Sequence, residues 1–474
     1  MDFNSILTLL RPELSLLAII IILLIYDLFA GNTAKKYFQP LAWVLLAAHT
    51  VWSFCLTPEG TLFGGMFATT QAASLVKAIL SLATLIVFLQ AGGALAKAES
   101  SFKTGEFYVL TLSTLFGMNI MISSGHFLMF YLGLETASIP LACLVAFDKY
   151  KQNSAEAAAK YILNAALSSG ILVYGLSFIY GTCGTLYFAN VPSLLDMTVL
   201  QVAGIVMFLA GMGFKISLVP FHMWTPDVYQ GAPTSVTAYL SVVSKGAAAF
   251  ALMTVLFKVF APMAAVWQDL LYGIIIVTIT LANLFAIRQK DIKRFFAYSS
   301  ISQAGYVVLG IMAGTAEGMT AMIYYILVYI LSNLAAFGVI STVENHTGRV
   351  NIDQYNGLYS TNPRMAFVMM LALFSLGGIP PFAGFFSKFF IFTSAAASGY
   401  YVLVFIALVN TIISLYYYLL VVKAMFINKT DAPAPHFRSE KALVFSLAIC
   451  VAGIIFAGVA SCLYGGIGQF TFGM

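Results

Sequence analysis

The sequence contains few charged residues. Asp, Glu, Lys and Arg make up 9% of its 474 residues, whereas 61% are hydrophobic. Because a soluble globular domain carries about 25% charged residues, this deficit excludes a water-soluble enzyme and a disordered chain. The net charge of +5 is also too small and too dispersed to indicate a nucleic-acid partner.

The sequence also lacks patterns that would bind a metal or a cofactor. Its five cysteines form no C-x-x-C pair, and its five histidines are scattered without metal-ligand or bis-haem spacing. No glycine-rich phosphate loop follows a strand. We therefore interpret the cysteines as packing residues. We predict no cofactor, nucleotide or metal site in this chain, so that any energy source lies in another chain.

What the sequence does contain is a series of apolar stretches of about 20 residues, each long enough to cross a bilayer core roughly 30 Å thick. Backbone polar groups in lipid must be satisfied internally, which predicts helices. We expect an all-α polytopic protein with a single membrane domain, 1–474. Its approximately fourteen spans are 12–30, 40–57, 72–92, 105–123, 127–147, 156–180, 198–219, 233–257, 266–287, 296–314, 318–344, 364–398, 400–427 and 441–465.

The distribution of Lys and Arg predicts the orientation of these spans. Seventeen of the 23 basic residues, including Lys35 and Lys97, lie in or beside loops that follow odd-numbered spans. Two, Arg11 and Lys258, lie on the opposite side, and four lie inside spans. This asymmetry predicts cytoplasmic odd-numbered loops and both termini on the outer side.

Two sequence similarities suggest an internal repeat. Residues 160–168 resemble 324–332 at an offset of 164, and 219–221 resemble 380–382 at an offset of 161. The copies lie five spans apart, so they would have opposite orientations, as in many transporters. Chance similarity between apolar helices is the alternative. We predict two inverted five-helix repeats, 105–258 (spans 4–8) and 259–428 (spans 9–13), preceded by 1–104 and followed by 429–474.

Four ionisable residues lie deep inside predicted spans, where a charge costs about 2.5–3.5 kcal/mol on insertion scales. Glu135 lies near the middle of span 5, Lys215 near the end of span 7, Lys245 halfway along span 8 and Lys388 in span 12. The alternatives are a structural carboxylate that locks helices together for Glu135 and a permanent ion pair for each of the three lysines. Lys77, closer to a span end, is expected to reach the lipid headgroups.

Proline interrupts two of these spans. Pro220 follows Lys215, and Pro380 and Pro381 precede Lys388. Each proline removes a helical hydrogen bond, and unwound backbone at membrane depth is tolerated where it is buried in protein or lines a hydrated cavity. The pattern indicates polar cavities in spans 7 and 12, with simple kinks as the alternative.

One acid and three bases favour proton transfer over metal-ion transport, which would use several oxygen ligands. If Glu135 and Lys215 were about 7 Å apart, their attraction at an effective dielectric of 20 would be roughly 2.4 kcal/mol. That energy is large enough for Glu135 to decide whether Lys215 is charged, and a displaced proton could then pass to Lys245.

Three stretches around these residues resemble a known family. They are GFKISLVPFHMWTPDVYQGAPT at 213–234, KDIKRFFAYSSISQAGY at 290–306 and SLGGIPPFAGFFSKF at 375–389. They are similar to signatures of the antiporter-like membrane subunits of proton-pumping NADH:quinone oxidoreductase, respiratory complex I. The similarity runs over most of the chain. The N type fits best, because the chain ends after its fourteenth span and has lysine at 388, where the M type has glutamate.

The resemblance implies a multi-pass subunit of a bacterial inner membrane that works with other membrane and peripheral subunits, including neighbouring antiporter-like ones. NADH, flavin, iron–sulfur clusters and quinone would then belong to those partners. It implies Glu135 and Lys215 as a coupled pair, Lys245 as the central relay and Lys388 as the outer terminal site.

The resemblance also implies accessory polar residues. His222 and Asp227 match polar positions after the span 7 break, with loop hydrogen bonding as the alternative role. Gln303 stands where family members often have histidine or lysine, and it cannot hold a proton at neutral pH. The link to Lys388 would then need water, helped by Ser299, Ser300, Ser302, Gln303 or Tyr325.

Two other functions stay open. A chain of a multisubunit sodium/proton antiporter would share the fold, and a passive scaffold would only tie pump modules together. The stretch from Tyr355 to Lys388 favours the complex I type.

Overall fold

The computed structural model describes residues 3–29, 36–96, 103–430 and 432–474. Twenty α-helices follow one another in this part of the chain. In chain order, α1 to α20 are Phe3–Leu9, Arg11–Phe29, Phe38–Ser53, Gln71–Leu95, Thr104–Ile122, Phe127–Val145, Gln152–Cys183, Val199–Ile216, Trp224–Gly231, Thr234–Tyr239, Lys245–Lys258, Ala264–Ile287, Ile292–Met312, Ala316–Thr347, Leu358–Thr361, Pro363–Gly377, Ala383–Ala397, Tyr401–Phe426, Lys441–Val459 and Ser461–Gly468.

The predicted helical membrane architecture is confirmed. Within the described residues, twelve helical segments are long and apolar enough to cross a membrane. The total of fourteen spans and the inverted repeat stay predictions. The helices α7 and α14 have 32 residues each and extend beyond their predicted bounds. Lys35 and Lys97, which entered the prediction of orientation, lie outside the described residues, as does the end of the first span at residue 30.

The predicted breaks in spans 7 and 12 are also present. The chain leaves helical geometry between α8 and α9, at 217–223, and again between α16 and α17, at 378–382. Pro220 lies in the first interruption, and Pro380 and Pro381 lie in the second. Proline cannot donate the hydrogen bond that a continuous helix requires at these positions.

The chain forms two compact units. The first comprises Met1–Lys215, Val243–Trp267 and Met474, and the second comprises Ile216–Val242 and Gln268–Gly473. In the first unit, α5 and α6 pack with their backbones almost in contact. A Cβ atom on Gly117 would lie 2.4 Å from the nitrogen of Ala137, and one on Gly133 would lie 2.5 Å from that of Met121. Glycine permits this approach and fixes the helix that carries Glu135.

A short hairpin in the first unit is absent from the sequence prediction. Strand β1, Gly60–Leu62, pairs antiparallel with β2, Phe67–Thr69. The connection contains Gly64 and Gly65, both with positive φ, a conformation that costs glycine little. Leu62 and Phe67 pack with Leu9 in a small hydrophobic cluster.

The prediction for Lys77 was wrong. Its side chain is buried, and its ammonium group donates a hydrogen bond to Glu13 Oε1 in a buried ion pair. Glu13 lies in the first turn of α2. Because an uncompensated buried charge is costly, the carboxylate explains how Lys77 can stay inside the protein.

In the second unit, polar side chains stabilise the irregular segments. Thr225 Oγ1 donates to Ser217 Oγ at 2.8 Å, and the backbone nitrogen of Val219 donates to Thr278 Oγ1 at 3.0 Å. The backbone nitrogen of Gly384 donates to Ser375 Oγ at 3.2 Å. These bonds satisfy groups that the breaks remove from helical pairing.

Candidate functional site

Lys215 lies in the last turn of α8 and is buried. Its Nζ atom donates a hydrogen bond of 2.7 Å to Ser138 Oγ, and Ser138 in turn donates to the carbonyl of Leu134 at 2.6 Å. Glu135 is half-buried and lies three residues before Ser138 on α6. Residues three apart share one helix face. Lys215 therefore contacts the turn of α6 that also carries Glu135. The hydroxyl of Ser138 is the direct partner of the amine.

Lys245 is buried at a change in helical geometry. Residues Leu240–Ser244 form a π-helical turn, and Lys245 is the first residue of α11. Single π-turns within α-helices occur frequently at functional positions, because the extra residue redirects the side chains that follow. The span prediction placed Lys245 halfway along a uniform helix, and the sequence signalled no such turn.

Lys388 is buried beside the break between α16 and α17. Its Nζ atom donates to the carbonyl oxygens of Leu376 at 2.9 Å and Gly377 at 3.2 Å. These are the last carbonyls of α16, where the helix dipole favours a positive charge. The Nζ atom also lies 5.3 Å from the centre of the Tyr306 ring. The break therefore supplies the acceptors that hold the amine.

A side-chain network extends from this site. Gln303 Nε2 donates to the carbonyl of Leu376 at 3.5 Å and to the hydroxyl of Tyr418 at 3.2 Å. Tyr325 donates its hydroxyl proton to Gln303 Oε1, and Ser299 shares a hydrogen bond of 2.5 Å with Tyr418. Gln303 thus contacts the same carbonyl as Lys388. It also bonds to Tyr325 and Tyr418 and so connects both tyrosines to this carbonyl.

A cavity of about 10 Å³ lies at the same place, with Lys388, Gln303, Tyr325 and Tyr329 in its wall. A cavity of roughly 10–15 Å³ holds one water molecule when polar partners surround it. The volume therefore fits a single water molecule.

Two other buried lysines contact carboxylates. Lys77 is paired with Glu13, and Lys293 lies 3.2 Å from Glu344 Oε1. Lys215 and Lys388 instead donate to a hydroxyl and to backbone carbonyls. The permanent ion pair considered for these two lysines is therefore not what the structure contains.

The remaining predicted polar residues are His222, Asp227, Ser300 and Ser302. His222 is buried in the first break. Asp227 forms an ion pair of 2.7 Å with Arg294, in which both side chains are 32% exposed. Ser300 shares a hydrogen bond of 3.2 Å with Tyr229, and Ser302 is buried. Asp227 therefore joins α9 to the start of α13.

Sequence reasoning missed two residues that the geometry brings into the site. Ser138 contacts Lys215, and its spacing of three residues from Glu135 was an available signal. Tyr418 contacts Gln303 and Ser299, but it lies in a run of three tyrosines on α18, where nothing in the pattern distinguishes it from its neighbours.

In the described part of the chain, no group of three or more His, Cys, Asp or Glu side chains could hold a metal ion. The arrangement consists of amines, hydroxyls, amides and carbonyls. Of these groups, an amine can hold a proton and a hydroxyl can donate and accept a hydrogen bond.

Comparison with known proteins identifies the class. Residues 124–414 match the family described as NADH:quinone oxidoreductase/Mrp antiporter, transmembrane. One chain of respiratory complex I from Thermus thermophilus with bound aureothin superposes with a TM-score of 0.78 at 28% identity, covering 94% of this chain and 98% of that one. A chain of the Mrp complex from Dietzia sp. has a TM-score of 0.83 at 20% identity, with 99% and 97% covered, and shows the shared fold. The chain belongs to this family of antiporter-like membrane subunits.

Within the family, two relatives of high sequence identity are of the N type. The chain is 58% identical to NADH-quinone oxidoreductase subunit N of Phocaeicola vulgatus over 466 residues, which cover 98% of each protein. It is 54% identical to subunit N of Azobacteroides pseudotrichonymphae, with 100% of this chain and 99% of that protein covered. The resemblance to the N type is confirmed.

Proposed function

We propose that this chain is a proton-translocating membrane subunit of NADH:quinone oxidoreductase. It moves protons from the cytoplasm to the outer side, and quinone reduction in other subunits drives the movement. Glu135, Lys215 and Lys245 serve in the first unit, and Lys388 serves in the second as the terminal site toward the outer side.

The observation that carries this proposal is that the direct hydrogen-bond acceptors of Lys215 and Lys388 are uncharged: a hydroxyl for Lys215 and two carbonyls for Lys388. A lysine with a fixed carboxylate partner keeps its proton, because losing it would leave a buried negative charge. A buried lysine with neutral acceptors can release its proton without that penalty. Glu135 lies on the turn of α6 that Lys215 contacts, and its charge can bias the release of the lysine's proton.

In the second unit, the surroundings of Lys388 support the passage of protons through water and side chains. The cavity beside Lys388 and the links from Gln303 to Tyr325 and Tyr418 supply hydrogen-bonding groups next to the amine. Gln303 orients a water or a hydroxyl but does not itself hold a proton. Transfer to Lys388 therefore depends on hydration of this site.

The chain would act as part of a larger enzyme. NADH, flavin, iron–sulfur clusters and quinone would be bound by partner subunits, and neighbouring antiporter-like subunits would contact it within a bacterial inner membrane. The termini would lie on the outer side, as the distribution of basic residues predicts.

Lys215→Ala in the assembled complex tests the proposal. We expect the complex to assemble and to oxidise NADH with an artificial electron acceptor, but to lose proton pumping in proteoliposomes. Lys290→Ala, at an exposed position, is the matched control and should pump normally. Unchanged pumping in Lys215→Ala would support the passive scaffold.

A sodium/proton antiporter is the alternative. The names of the relatives at 58% and 54% identity favour NADH:quinone oxidoreductase. Sodium-stimulated transport by the isolated chain would favour the antiporter.

A further inference from the structure

A cavity of about 260 Å³ in the second unit has no part in the proposed relay. A volume of that size has room for several water molecules. Its wall contains Gln289 from the connection after α12, Asp353 from the connection after α14 and Lys423 from the last turn of α18. The distribution of basic residues predicts that the connections after these three helices are cytoplasmic. The cavity is therefore placed to receive water from the cytoplasm.

Two aromatic rings close the inner end of this cavity. Phe295 lies one turn inside α13, and Tyr417 is the wall residue of α18 that lies farthest from the cytoplasmic end predicted for that helix. Both are buried, and their ring centres lie 5.3 Å apart with the ring planes almost perpendicular. Edge-to-face packing is a favourable geometry for two aromatic rings, so the pair forms an apolar floor.

Tyr417 is fixed in this floor by polar contacts. Its hydroxyl donates a hydrogen bond of 2.9 Å to Asn283 Oδ1, and Asn283 Nδ2 donates to Asn410 Oδ1 at 3.1 Å. All three side chains are buried. Breaking one of these bonds would leave a buried polar group without its partner, which costs about 1–3 kcal/mol. Tyr417 therefore gives Phe295 a fixed surface to pack against.

The hydrogen-bond network beside Lys388 begins one turn beyond Phe295. Ser299 and Gln303 follow Phe295 at intervals of four residues, which places all three on one face of α13. The distance along the helix from Phe295 to Gln303 is about 12 Å. Gln303 contacts the carbonyl of Leu376 that also holds Lys388. Phe295 therefore lies between the cavity and the first hydroxyl of the network.

Phe295 also packs directly against the network. Its ring centre lies 6.1 Å from that of Tyr418, again with nearly perpendicular planes, and the hydroxyl of Tyr418 bonds to Ser299 and Gln303. Phe295 thus belongs both to the cavity wall and to the packing around the network. An apolar constriction can stop conduction because it excludes water.

We propose that the ring of Phe295 is the barrier between cytoplasmic water in this cavity and the network beside Lys388. Protons pass along chains of water and hydroxyl groups, and an apolar ring interrupts such a chain. A proton held by Lys388 could then leave toward the outer side but could not return to the cytoplasm. The inference rests on the proposed function for the orientation of the chain and the role of Lys388, whereas the position of the barrier does not.

Silver ions, which bind thiols and are small enough to follow water, test this barrier in the assembled complex. Ag⁺ is added outside sealed proteoliposomes whose predicted cytoplasmic side faces outward. Alkylation after denaturation, read by mass spectrometry, then shows which engineered cysteines stayed free. We expect Ag⁺ to block Val421→Cys, in the cavity wall, but not Ser299→Cys. Adding Phe295→Ala should make the cysteine at position 299 accessible to Ag⁺.

Phe296→Ala is the matched control. Phe296 is also buried, and its ring packs against Phe337 of α14 with 5.3 Å between the ring centres. Ser299→Cys should stay inaccessible when combined with this variant or with Phe295→Leu, which keeps an apolar side chain in the barrier. In the absence of NADH, Phe295→Ala should also dissipate an imposed pH gradient several-fold faster than the wild type or Phe296→Ala.

Two results would overturn the proposal. One is a blocked cysteine at position 299 while Phe295 is intact, and the other is a cysteine that stays free in Phe295→Ala. If the Ala variant fails to assemble, Phe295→Val replaces it, and the contrast between Val421→Cys and Ser299→Cys still shows where water stops. Accessibility to Ag⁺ does not depend on pumping, so a failure here is distinguishable from an unexpected result with Lys215→Ala.

Discussion

Ser138→Ala removes the hydroxyl that accepts the hydrogen bond of Lys215, and this change isolates one contact of the proposed relay. The bond is 2.7 Å long and buried. A hydrogen bond to a charged group contributes about 1.5–3 kcal/mol, and about 1.4 kcal/mol corresponds to a factor of ten. The charged amine should therefore occupy its position beside α6 at least about tenfold less, and proton pumping should slow by a similar factor.

The assay is the rate of acidification of proteoliposomes during NADH oxidation by the assembled complex. Ser138→Thr keeps a hydroxyl and should retain most of the rate. Ser169→Ala is the matched control, because Ser169 is also a buried serine of the first unit and donates its hydrogen bond to a carbonyl of its own helix. If Ser138→Ala pumped at the wild-type rate while Ser138→Thr did the same, the hydroxyl would not be positioning Lys215.

Three further changes probe other contacts. Tyr418→Phe removes the hydroxyl that bonds to Ser299 and Gln303. Each of these two hydrogen bonds is worth about 1 kcal/mol, so pumping should slow at least several-fold without loss of assembly, whereas Tyr416→Phe, at an exposed position, should pump normally. Gly384→Ala would place a Cβ atom 1.6 Å from a backbone oxygen and should prevent assembly on native gels, whereas Gly170→Ala meets nothing within 4 Å and should assemble. Arg294→Ala breaks a one-third-exposed ion pair and should lower thermal stability by at most about 1 kcal/mol, an effect that high salt should erase in a melting experiment.

The sequence predicted those parts of the site whose residue types are unusual in a membrane-spanning helix. Lys215 and Lys388 stand out because charges are rare in apolar spans, and Pro220 and Pro381 stand out because proline ends helical pairing. Ser138 is not unusual in this sense, since a serine in a membrane helix can donate a hydrogen bond to the backbone of its own helix. Its function follows only from the approach of α8, which no local pattern encodes.

Lys77 is a residue for which the general rule for membrane lysines gave the wrong prediction. A lysine near a helix end usually reaches the headgroups, so the expectation followed the general rule. Its partner lies 64 residues away on α2, and the hairpin that covers it is formed by two strands of three residues each. Pairing over such distances is a tertiary property, and strands that short give almost no periodic signal.

The acceptors of Lys388 are backbone carbonyls at the end of a half-helix. Acidity cannot titrate them, and a side-chain substitution cannot remove them. Because Lys388 belongs to α17 and the carbonyls belong to α16, moving one half-helix away from the other would directly lengthen the hydrogen bonds of this amine.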